Sequence, residues 1–286
     1  MMQARSVDVQ PLDSHRFRLG EGGRWDGTDF WQVDLLDGDL WRSAGGTAEL
    51  HRVLDLDLPL GAMAPTTGGG HVVIAGTGFA AVGDAGTLDW FDRPVDGRQP
   101  PRRVNDAAVS GGRMFFGTMD FPGEIGNGDL WRADPDRTVT HLLGGLGCPN
   151  GPAVSPDGRT LYLADSSAFV IRRYPLAVDG SLGAGTDFVT LDEDFGKPDG
   201  MTVDDDGHLW VAIWGGAAVA RFDPEGGWAD LISVPVRQPT SVTILPGRML
   251  VTSASNGLTD PGELDGATLV LPCDVSAPVT AAFGAG

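Results

Sequence analysis

The chain has 286 residues, and its 41% hydrophobic content is enough to build a folded core. Its formal net charge of −19 would repel a phosphate backbone, which argues against nucleic-acid binding. No segment approaches the ~20 apolar residues of a membrane helix, and the N-terminal segment lacks the apolar core of a signal peptide. A cytoplasmic protein without membrane contact is therefore expected.

Six short strand patterns follow one another along the chain, and each is opened by a glycine in a hairpin-like context. These glycines are Gly27, Gly70, Gly112, Gly158, Gly207 and Gly247. They recur at intervals of about 40 to 49 residues, the length of one blade in a β-propeller. Two packed β-sandwiches are the structural alternative, but a sandwich does not predict equal spacing.

A second strand pattern, offset from the first, carries a large aromatic or aliphatic anchor in each unit. The anchors are Trp41, Trp90, Trp131, Tyr174, Phe222 and Leu271. Both patterns are short and bounded by Gly, Pro or Asp, which is typical of strands and hairpins. The sequence therefore predicts an all-β, six-bladed β-propeller with four-stranded antiparallel blades around a central channel, forming one domain over residues 1–286.

Residues at the same phase of each unit should lie at one place around the propeller axis. Six to eight residues before the glycines stand Glu21, Met63, Asn105, Asn150, Asp199 and Thr240. If these strands are innermost, their side chains face the channel mouth, and four of them offer carboxylate or amide oxygens. Converging carboxylates need a counter-ion, and such oxygens suit Ca²⁺, Mg²⁺ or Mn²⁺, with Zn²⁺ also acceptable. Taken singly, Asn150-Gly151 and Asp199-Gly200 could also be ordinary turns.

The same residues lie in segments that resemble the SMP-30 (regucalcin), gluconolactonase and luciferin-regenerating enzyme family. The matching segments are LGEGGRWDG (19–27), RRVNDAAVSGGRMFFGTMD (102–120), CPNGPAVSPDGRTLYLADS (148–166), KPDGMTVDDDGHLWVAIWGGAAVARFDPEG (197–226) and QPTSVTILPGRMLVTSA (238–254). The resemblance covers almost the whole chain. It implies a six-bladed propeller that holds one divalent metal ion, with Ca²⁺ preferred, and lactone hydrolysis as the usual activity.

The resemblance also implies roles for individual residues. Glu21, Asn150 and Asp199 match the metal ligands, Asn105 matches a contact to substrate or metal-bound water, and Arg103 matches a substrate-binding arginine, although a surface arginine is the alternative. Sugar-lactone enzymes of the family often carry an acidic contact in the loop after GTMD. Here that loop holds Asp120, Phe121 and Glu124, and Glu124 is the candidate contact, although the sequence does not decide among them.

The motifs depart from the family pattern at several positions. Gly23 replaces the proline of LGEGP, and Ala107 and Pro152 change the residues after Asn105-Asp106 and Asn150-Gly151. The FGG that usually follows PTS is replaced by residues 244–247. None of these changes removes a candidate ligand, so metal binding is still expected. The changed residues 244–247 and the loop after GTMD leave the substrate open.

The expected chemistry is metal-assisted opening of a small sugar-type lactone. Asp199 is the candidate general base, and Arg103 and Asn105 would orient the substrate. Met63, Trp214 and Phe121 could form an apolar wall, although blade packing explains Met63 and Trp214 equally well.

Two other functions stay open. One is metal-dependent hydrolysis, ring opening or ring formation on a non-sugar substrate, such as a phosphotriester or a specialised metabolite, and the other is cation binding without catalysis. No G-x-S-x-G motif is present, and Cys148 is interpreted as a packed residue rather than a nucleophile. A monomer or a small homo-oligomer is expected.

Overall fold

The computed structural model describes residues 3–284, which form twenty-four strands and three short 3-10 turns. The first strand is the two-residue β1 (Gln10–Pro11). Blade 1 consists of β2 (Gly20–Trp25), β3 (Asp29–Asp34), β4 (Asp39–Ala44) and β5 (His51–Asp55). Blade 2 consists of β6 (Leu60–Pro65), β7 (His71–Ala75), β8 (Gly78–Val82) and β9 (Leu88–Asp92). Blade 3 consists of β10 (Arg102–Ser110), β11 (Arg113–Asp120), β12 (Gly128–Ala133) and β13 (Val139–Leu146).

The other three blades repeat this order. Blade 4 consists of β14 (Pro149–Val154), β15 (Thr160–Asp165), β16 (Val170–Pro175) and β17 (Thr186–Thr190). Blade 5 consists of β18 (Lys197–Val203), β19 (Leu209–Trp214), β20 (Ala218–Phe222) and β21 (Trp228–Ser233). Blade 6 consists of β22 (Pro239–Leu245), β23 (Arg248–Ser253), β24 (Leu269–Pro272) and β1. The 3-10 turns are Asp84–Gly86, Ser166–Ala168 and Glu193–Phe195.

The prediction of a six-bladed propeller with four-stranded antiparallel blades is confirmed. The ring is closed by β1, which pairs Gln10 with Val270 and Pro11 with Leu269 on the outer side of blade 6. Blade 6 therefore combines both ends of the described chain. Such closure leaves each blade with only short, protected edges.

The second sequence pattern marks the third strand of five blades, but not of blade 2. Trp90 lies in β9, the fourth strand, whereas the third strand, β8, has the sequence GFAAV. The expectation that Trp90 is equivalent to the other anchors is therefore wrong. β8 has an aromatic residue of its own, the fully buried Phe79, and Trp90 lies one strand further out.

The core lies between adjacent blades rather than at a single centre. Apolar side chains of one blade pack against those of the next, for example Trp210 and Val219 of blade 5 against Val242 and Met249 of blade 6. Since each blade buries a face against both neighbours, the repeat is stable only as a closed ring. Within residues 3–284 there is no helix whose length and apolar character would let it cross a membrane.

The six inner strands, β2, β6, β10, β14, β18 and β22, surround the axis, and each contacts the inner strand of the next blade. All six contain a β-bulge. The bulges fall between Glu21 and Arg24, Leu60 and Ala62, Val104 and Ala107, Asn150 and Ala153, Pro198 and Met201, and Pro239 and Ser241. A bulge re-aims side chains at a fixed point of a strand, so the blades direct selected residues into the channel at one level.

Candidate metal centre and substrate cavity

The bulges of four inner strands place Glu21, Asn105, Asn150 and Asp199 around one cavity of about 230 Å³. All four side chains are buried, with only 3 to 6% of each residue exposed. They come from blades 1, 3, 4 and 5, so residues 178 positions apart in sequence face the same small space. The predicted convergence of these four residues is therefore present in the fold.

The other two residues of the same sequence phase do not line this cavity. Met63 packs in the apolar cluster between blades 1 and 2, because the bulge of β6 falls two residues earlier, at Gly61. The expectation that Met63 faces the channel mouth is therefore wrong. Thr240 is buried beside the channel, where its hydroxyl bonds the carbonyl oxygen of Gly20 and the hydroxyl of Thr252.

The Asn-Gly and Asp-Gly pairs are parts of inner strands and not exposed turns. Asn150-Gly151 lies in β14 and Asp199-Gly200 lies in β18. Gly151 has φ +44°, and a Cβ there would lie 2.7 Å from the backbone oxygen of Asp199 and the backbone nitrogen of Met201. Glycine is required because two inner strands approach each other at this point.

The two asparagines are held by a chain of hydrogen bonds that crosses three blades. The Nδ2 of Asn105 donates to the carbonyl oxygen of Pro149 at 3.0 Å and to the Oδ1 of Asn150 at 2.9 Å. The Nδ2 of Asn150 donates to the Oγ of Ser166 at 3.2 Å, and Ser166 donates to the carbonyl oxygen of Pro198 at 2.6 Å. Both amides are thereby fixed, and one lone pair of the Asn150 Oδ1 stays available to a ligand.

The two carboxylates are buried without enough hydrogen-bond donors. Within residues 3–284, the Oδ1 of Asp199 has no hydrogen-bond partner, and the Oε2 of Glu21 accepts only the backbone N–H of Gly22 at 3.0 Å. Burial raises the pKa of both groups, and the nearby carboxylate of Asp106 raises both further. The charged forms are therefore unfavourable here unless a cation is bound.

The donor set fits one divalent cation. In the described part of the chain, no group of three or more His, Cys, Asp or Glu side chains is placed to hold a metal ion. A metal site built on two carboxylates would therefore need an amide oxygen as its third ligand. Glu21, Asp199 and Asn150 supply this combination at one cavity. These are hard oxygen ligands of the kind that Ca²⁺ and Mg²⁺ prefer.

Arg103 lies in the wall of the same cavity and is not a surface residue. Only 8% of it is exposed, and one terminal nitrogen donates to the Oδ1 of Asn105 at 2.7 Å and to the carbonyl oxygen of Val104 at 2.8 Å. Its Nε has no partner, and no carboxylate of residues 3–284 forms an ion pair with it. Burial lowers the pKa of the guanidinium, which keeps its charge in proteins. A buried cation with a free donor is suited to binding an oxygen of a substrate.

An ion pair below the candidate metal ligands was not anticipated from the sequence. Arg24 of blade 1 reaches across the channel to Asp106 of blade 3, with 3.0 Å between Nη2 and Oδ1, and it also donates to the carbonyl oxygens of Gly23 and Ala107. Beyond it, the second halves of the inner strands line another cavity of about 230 Å³. The pair separates the two ends of the channel and neutralises the third carboxylate near the site.

The loop after β11 borders the cavity through its backbone rather than its acidic side chains. Asp120 accepts the backbone N–H groups of Gly123 and Glu124 at 2.7 and 2.9 Å and the Nδ2 of Asn127 at 2.8 Å, so it shapes the loop. Pro122 and Gly123 line the cavity, whereas Glu124 is exposed outside it. This arrangement does not support a substrate contact by Glu124. The contact stays a prediction.

The apolar part of the wall differs partly from the expected one. Trp214 lines the cavity as expected, and Leu19 and Met119, which sequence reasoning missed, lie beside it. Phe121 is 57% exposed, with its ring centroid 5.9 Å from the guanidinium carbon of Arg103. The wall is therefore apolar on one side and charged on the other.

Cys148 also faces the cavity, with its Sγ 3.5 Å from the Sδ of Met119. Burial raises the pKa of this thiol to about 12, so it stays protonated at neutral pH. A protonated, packed thiol is a poor nucleophile, which agrees with its interpretation as a packing residue.

Fold and site together define a six-bladed propeller with buried carboxylate and amide oxygens around a cavity at one end of its channel. Residues 19–255 match the sequence model of the SMP-30/gluconolactonase/LRE-like region, so the chain belongs to this family.

Two of the relatives are named as lactonases. A pentonolactonase of Haloferax volcanii is 33% identical over 261 residues, which cover 88% of this chain and 87% of that protein. An L-arabinolactonase of Azospirillum brasilense is 34% identical over 271 residues, covering 89% and 87% respectively. A solved structure described as the calcium-binding protein regucalcin from Agrobacterium tumefaciens superposes with a TM-score of 0.91 at 26% identity, covering 99% of each chain.

Proposed function

We propose that the protein is a divalent-metal-dependent hydrolase that opens a small sugar-type lactone. The observation that carries the proposal is the unpartnered Oδ1 of Asp199, buried beside Glu21 and Asn150 and facing the same cavity as the unpaired guanidinium of Arg103. The names of the two lactonase relatives support the reaction, and the description of the Agrobacterium structure as calcium-binding supports the ion.

Glu21, Asn150 and Asp199 would hold the ion, and Ca²⁺ is the preferred candidate because all three ligands are hard oxygens. When bound, a divalent ion supplies Lewis-acid polarisation of the lactone carbonyl and stabilisation of the negative charge that develops on its oxygen. The buried charges of Glu21 and Asp199 would be neutralised at the same time, which removes the cost that raises their pKa values in the metal-free protein.

Asp199 is the proposed general base. One oxygen of its carboxylate would bind the ion, which leaves the other able to accept a proton from a water molecule in the cavity. The water oxygen forms a bond to the lactone carbonyl carbon, the ring C–O bond then breaks, and the proton is returned to the departing ring oxygen. The product is an open-chain hydroxy acid, which releases one proton at neutral pH.

Arg103 and Asn105 would orient the lactone. The free Nε of Arg103 can donate to a ring or hydroxyl oxygen, and the hydrogen bonds between Asn105, Arg103 and Asn150 hold these side chains in place before substrate enters. Trp214, Met119 and Leu19 limit the water around the substrate. Prepositioned groups of this kind lower the entropic part of the barrier.

The test is proton release from a panel of pentono- and hexonolactones by metal-free protein and by protein reloaded with Ca²⁺, Mg²⁺, Mn²⁺ or Zn²⁺. The proposal predicts acid release with added ion and its loss in Asp199→Asn. Asp194→Asn is the matched control, because Asp194 is an exposed residue of the 3-10 turn Glu193–Phe195.

Tight ion binding without turnover of any lactone would refute the proposal. The protein would then be a cation-binding propeller, or an enzyme that opens or forms a different ester or ring.

A further inference from the structure

A second level of side chains lies nearer the mouth of the cavity, two residues before each candidate ligand or substrate contact. At this level stand Leu19, Arg103, Cys148 and Lys197, all of which line the cavity. The relation follows from the two-residue period of a strand, which puts residues i and i+2 on one face. Two of these four residues are cationic, in a chain whose net charge is −19.

Lys197 is the only lysine of the sequence, since 19 of the 20 basic residues are arginine. Most arginines are engaged by acidic residues, as Arg221 is by Asp204 and Arg237 by Asp265. By contrast, Lys197 forms no ion pair with any carboxylate of residues 3–284, and its ammonium lies 5.6 Å from the centroid of the Phe169 ring. An exposed, unpaired ammonium at the cavity rim is free to bind an anion.

The charged side chains that line the cavity leave a positive excess once the proposed ion is bound. Asp165, which is buried behind Cys148, is not among them, and it accepts the backbone N–H groups of Gly147 and Cys148. One divalent ion balances Glu21 and Asp199, and Arg24 balances Asp106 through their ion pair. Arg103 and Lys197 then remain, and neither has an acidic partner among the described residues. Glu124 does not offset them inside the cavity, because it is exposed outside it.

The two cations belong to blades that flank blade 4, so they face the cavity from different sides. Arg103 lies in the buried wall on β10, and Lys197 lies at the exposed beginning of β18. A ligand whose reacting end lies at Asp199 would pass between them on its way to the mouth. A neutral sugar lactone leaves both charges uncompensated, whereas a lactone that carries an ionised group compensates them.

We propose that the substrate is an anionic lactone, one with a carboxylate substituent outside the lactone ring, and that Lys197 is the residue that selects it. Arg103 contributes from the wall, where it also touches the substrate in the proposed reaction. This inference rests on the proposed lactonase function and goes beyond it by assigning a substrate class and a specificity-determining residue.

The experiment compares two probes with the same ring, D-glucono-1,4-lactone and D-glucaro-1,4-lactone, which differ in charge at C6. Proton release gives kcat/KM for the full chain reloaded with Ca²⁺. We expect the anionic probe to be preferred at least tenfold, and Lys197→Met to lower its kcat/KM about tenfold, mainly through KM, as for one lost charge-assisted contact. The neutral probe should change by less than about twofold.

Arg98→Met is the matched control, because it removes one exposed positive charge that does not line the cavity. It should leave the preference between the two probes unchanged. Raising the ionic strength should weaken the preference of the unaltered protein, because exposed charges are screened by salt.

Binding is measured separately by calorimetry with D-gluconate and D-glucarate. The proposal predicts tighter binding of glucarate and selective loss of that advantage in Lys197→Met. Equal kcat/KM for the two lactones would overturn the anionic-substrate inference. So would an equal weakening of gluconate and glucarate binding in Lys197→Met. If neither lactone is hydrolysed but glucarate binds through Lys197, the lactonase proposal fails while the charge selectivity stands.

Discussion

Replacing Asp199 by Asn should stabilise the metal-free protein while abolishing its response to metal. Asp199 is 3% exposed, its Oδ1 lacks a hydrogen-bond partner among the residues that the structure describes, and Glu21 lies in the same cavity. In the metal-free fold its ionisation is therefore unfavourable, and the substitution removes a charge rather than a stabilising interaction. The same substitution removes a candidate metal ligand and the candidate general base.

The magnitude follows from the cost of a buried polar group without a partner, about 1–3 kcal/mol and more when it is charged. Asparagine keeps a polar amide at this position, so we expect a gain of about 1–2 kcal/mol in the free energy of unfolding. For a domain of this size that is an increase of roughly 2–4 °C in Tm. In the unaltered protein, Ca²⁺ at 100 times its Kd adds about 2.7 kcal/mol, and this gain should be absent from the variant.

The stabilisation of the variant should depend on pH in a defined direction. Burial raises the pKa of Asp199, so the folded metal-free protein retains this proton at pH values where the unfolded chain has lost it. The free energy of unfolding of the unaltered metal-free protein therefore falls, relative to that of the variant, as the pH rises above about 3.9, the pKa of an aspartate in the unfolded chain. The stability difference between the two proteins is smallest in acid. It reaches its maximum at the pH where Asp199 has also ionised in the folded protein.

The assay is thermal unfolding of both proteins at pH 4 and pH 8, each with EDTA and with saturating Ca²⁺. A metal-free variant that is less stable than the unaltered protein at pH 8 would show that the carboxylate stabilises the fold without an ion. A variant that keeps the full Ca²⁺-induced shift would show that the ion binds elsewhere. Either result would refute the reasoning.

Three further substitutions, one of them with a matched control, test other parts of the account. Arg103→Ala should lower kcat/KM about 10–100-fold while calorimetry shows Ca²⁺ affinity changed by less than about threefold, because the guanidinium lines the cavity and is not one of the proposed metal ligands. Gly151→Ala should cost about 2–4 kcal/mol in urea unfolding, because the added Cβ meets backbone atoms at 2.7 Å, whereas Gly257→Ala, with φ +73° and open space, should cost about 1 kcal/mol. Asp204→Asn should cost about 2–4 kcal/mol at pH 7, because Trp210 and Arg221 donate to a carboxylate whose pKa they lower. This difference in the free energy of unfolding should be present at pH values above about 3.9, the pKa of an aspartate in the unfolded chain. It should shrink in urea titrations as the pH falls below that value. Equal costs for the two glycine variants, or a pH-independent cost for Asp204→Asn, would contradict these explanations.

The propeller could be predicted from sequence because each blade repeats the same local strand signals at nearly equal spacing. The same regularity located Glu21, Asn105, Asn150 and Asp199, since a shared phase becomes a shared level around the axis. It failed for Met63, because the bulge of β6 falls at Gly61 and shifts that side chain into the core. A bulge is a pairing feature between strands and is not visible in the sequence pattern.

Features that depend on distant pairing were also missed. β1 is only two residues long and pairs with β24 at the other end of the chain, so no local pattern marks it. The Arg24–Asp106 pair joins residues 82 positions apart across the channel. Lys197 was visible as the only lysine, two residues before Asp199, but its place at the cavity became clear only once the inner strands were arranged around it.

The central claim is that one divalent ion at Glu21, Asn150 and Asp199 enables lactone opening. The most direct measurement is titration of metal-free protein with Ca²⁺ while proton release from a lactone is recorded, at a protein concentration well above Kd. Activity should rise linearly and stop at one ion per chain. Full lactone hydrolysis in the presence of EDTA, or none at saturating ion concentrations, would contradict the claim.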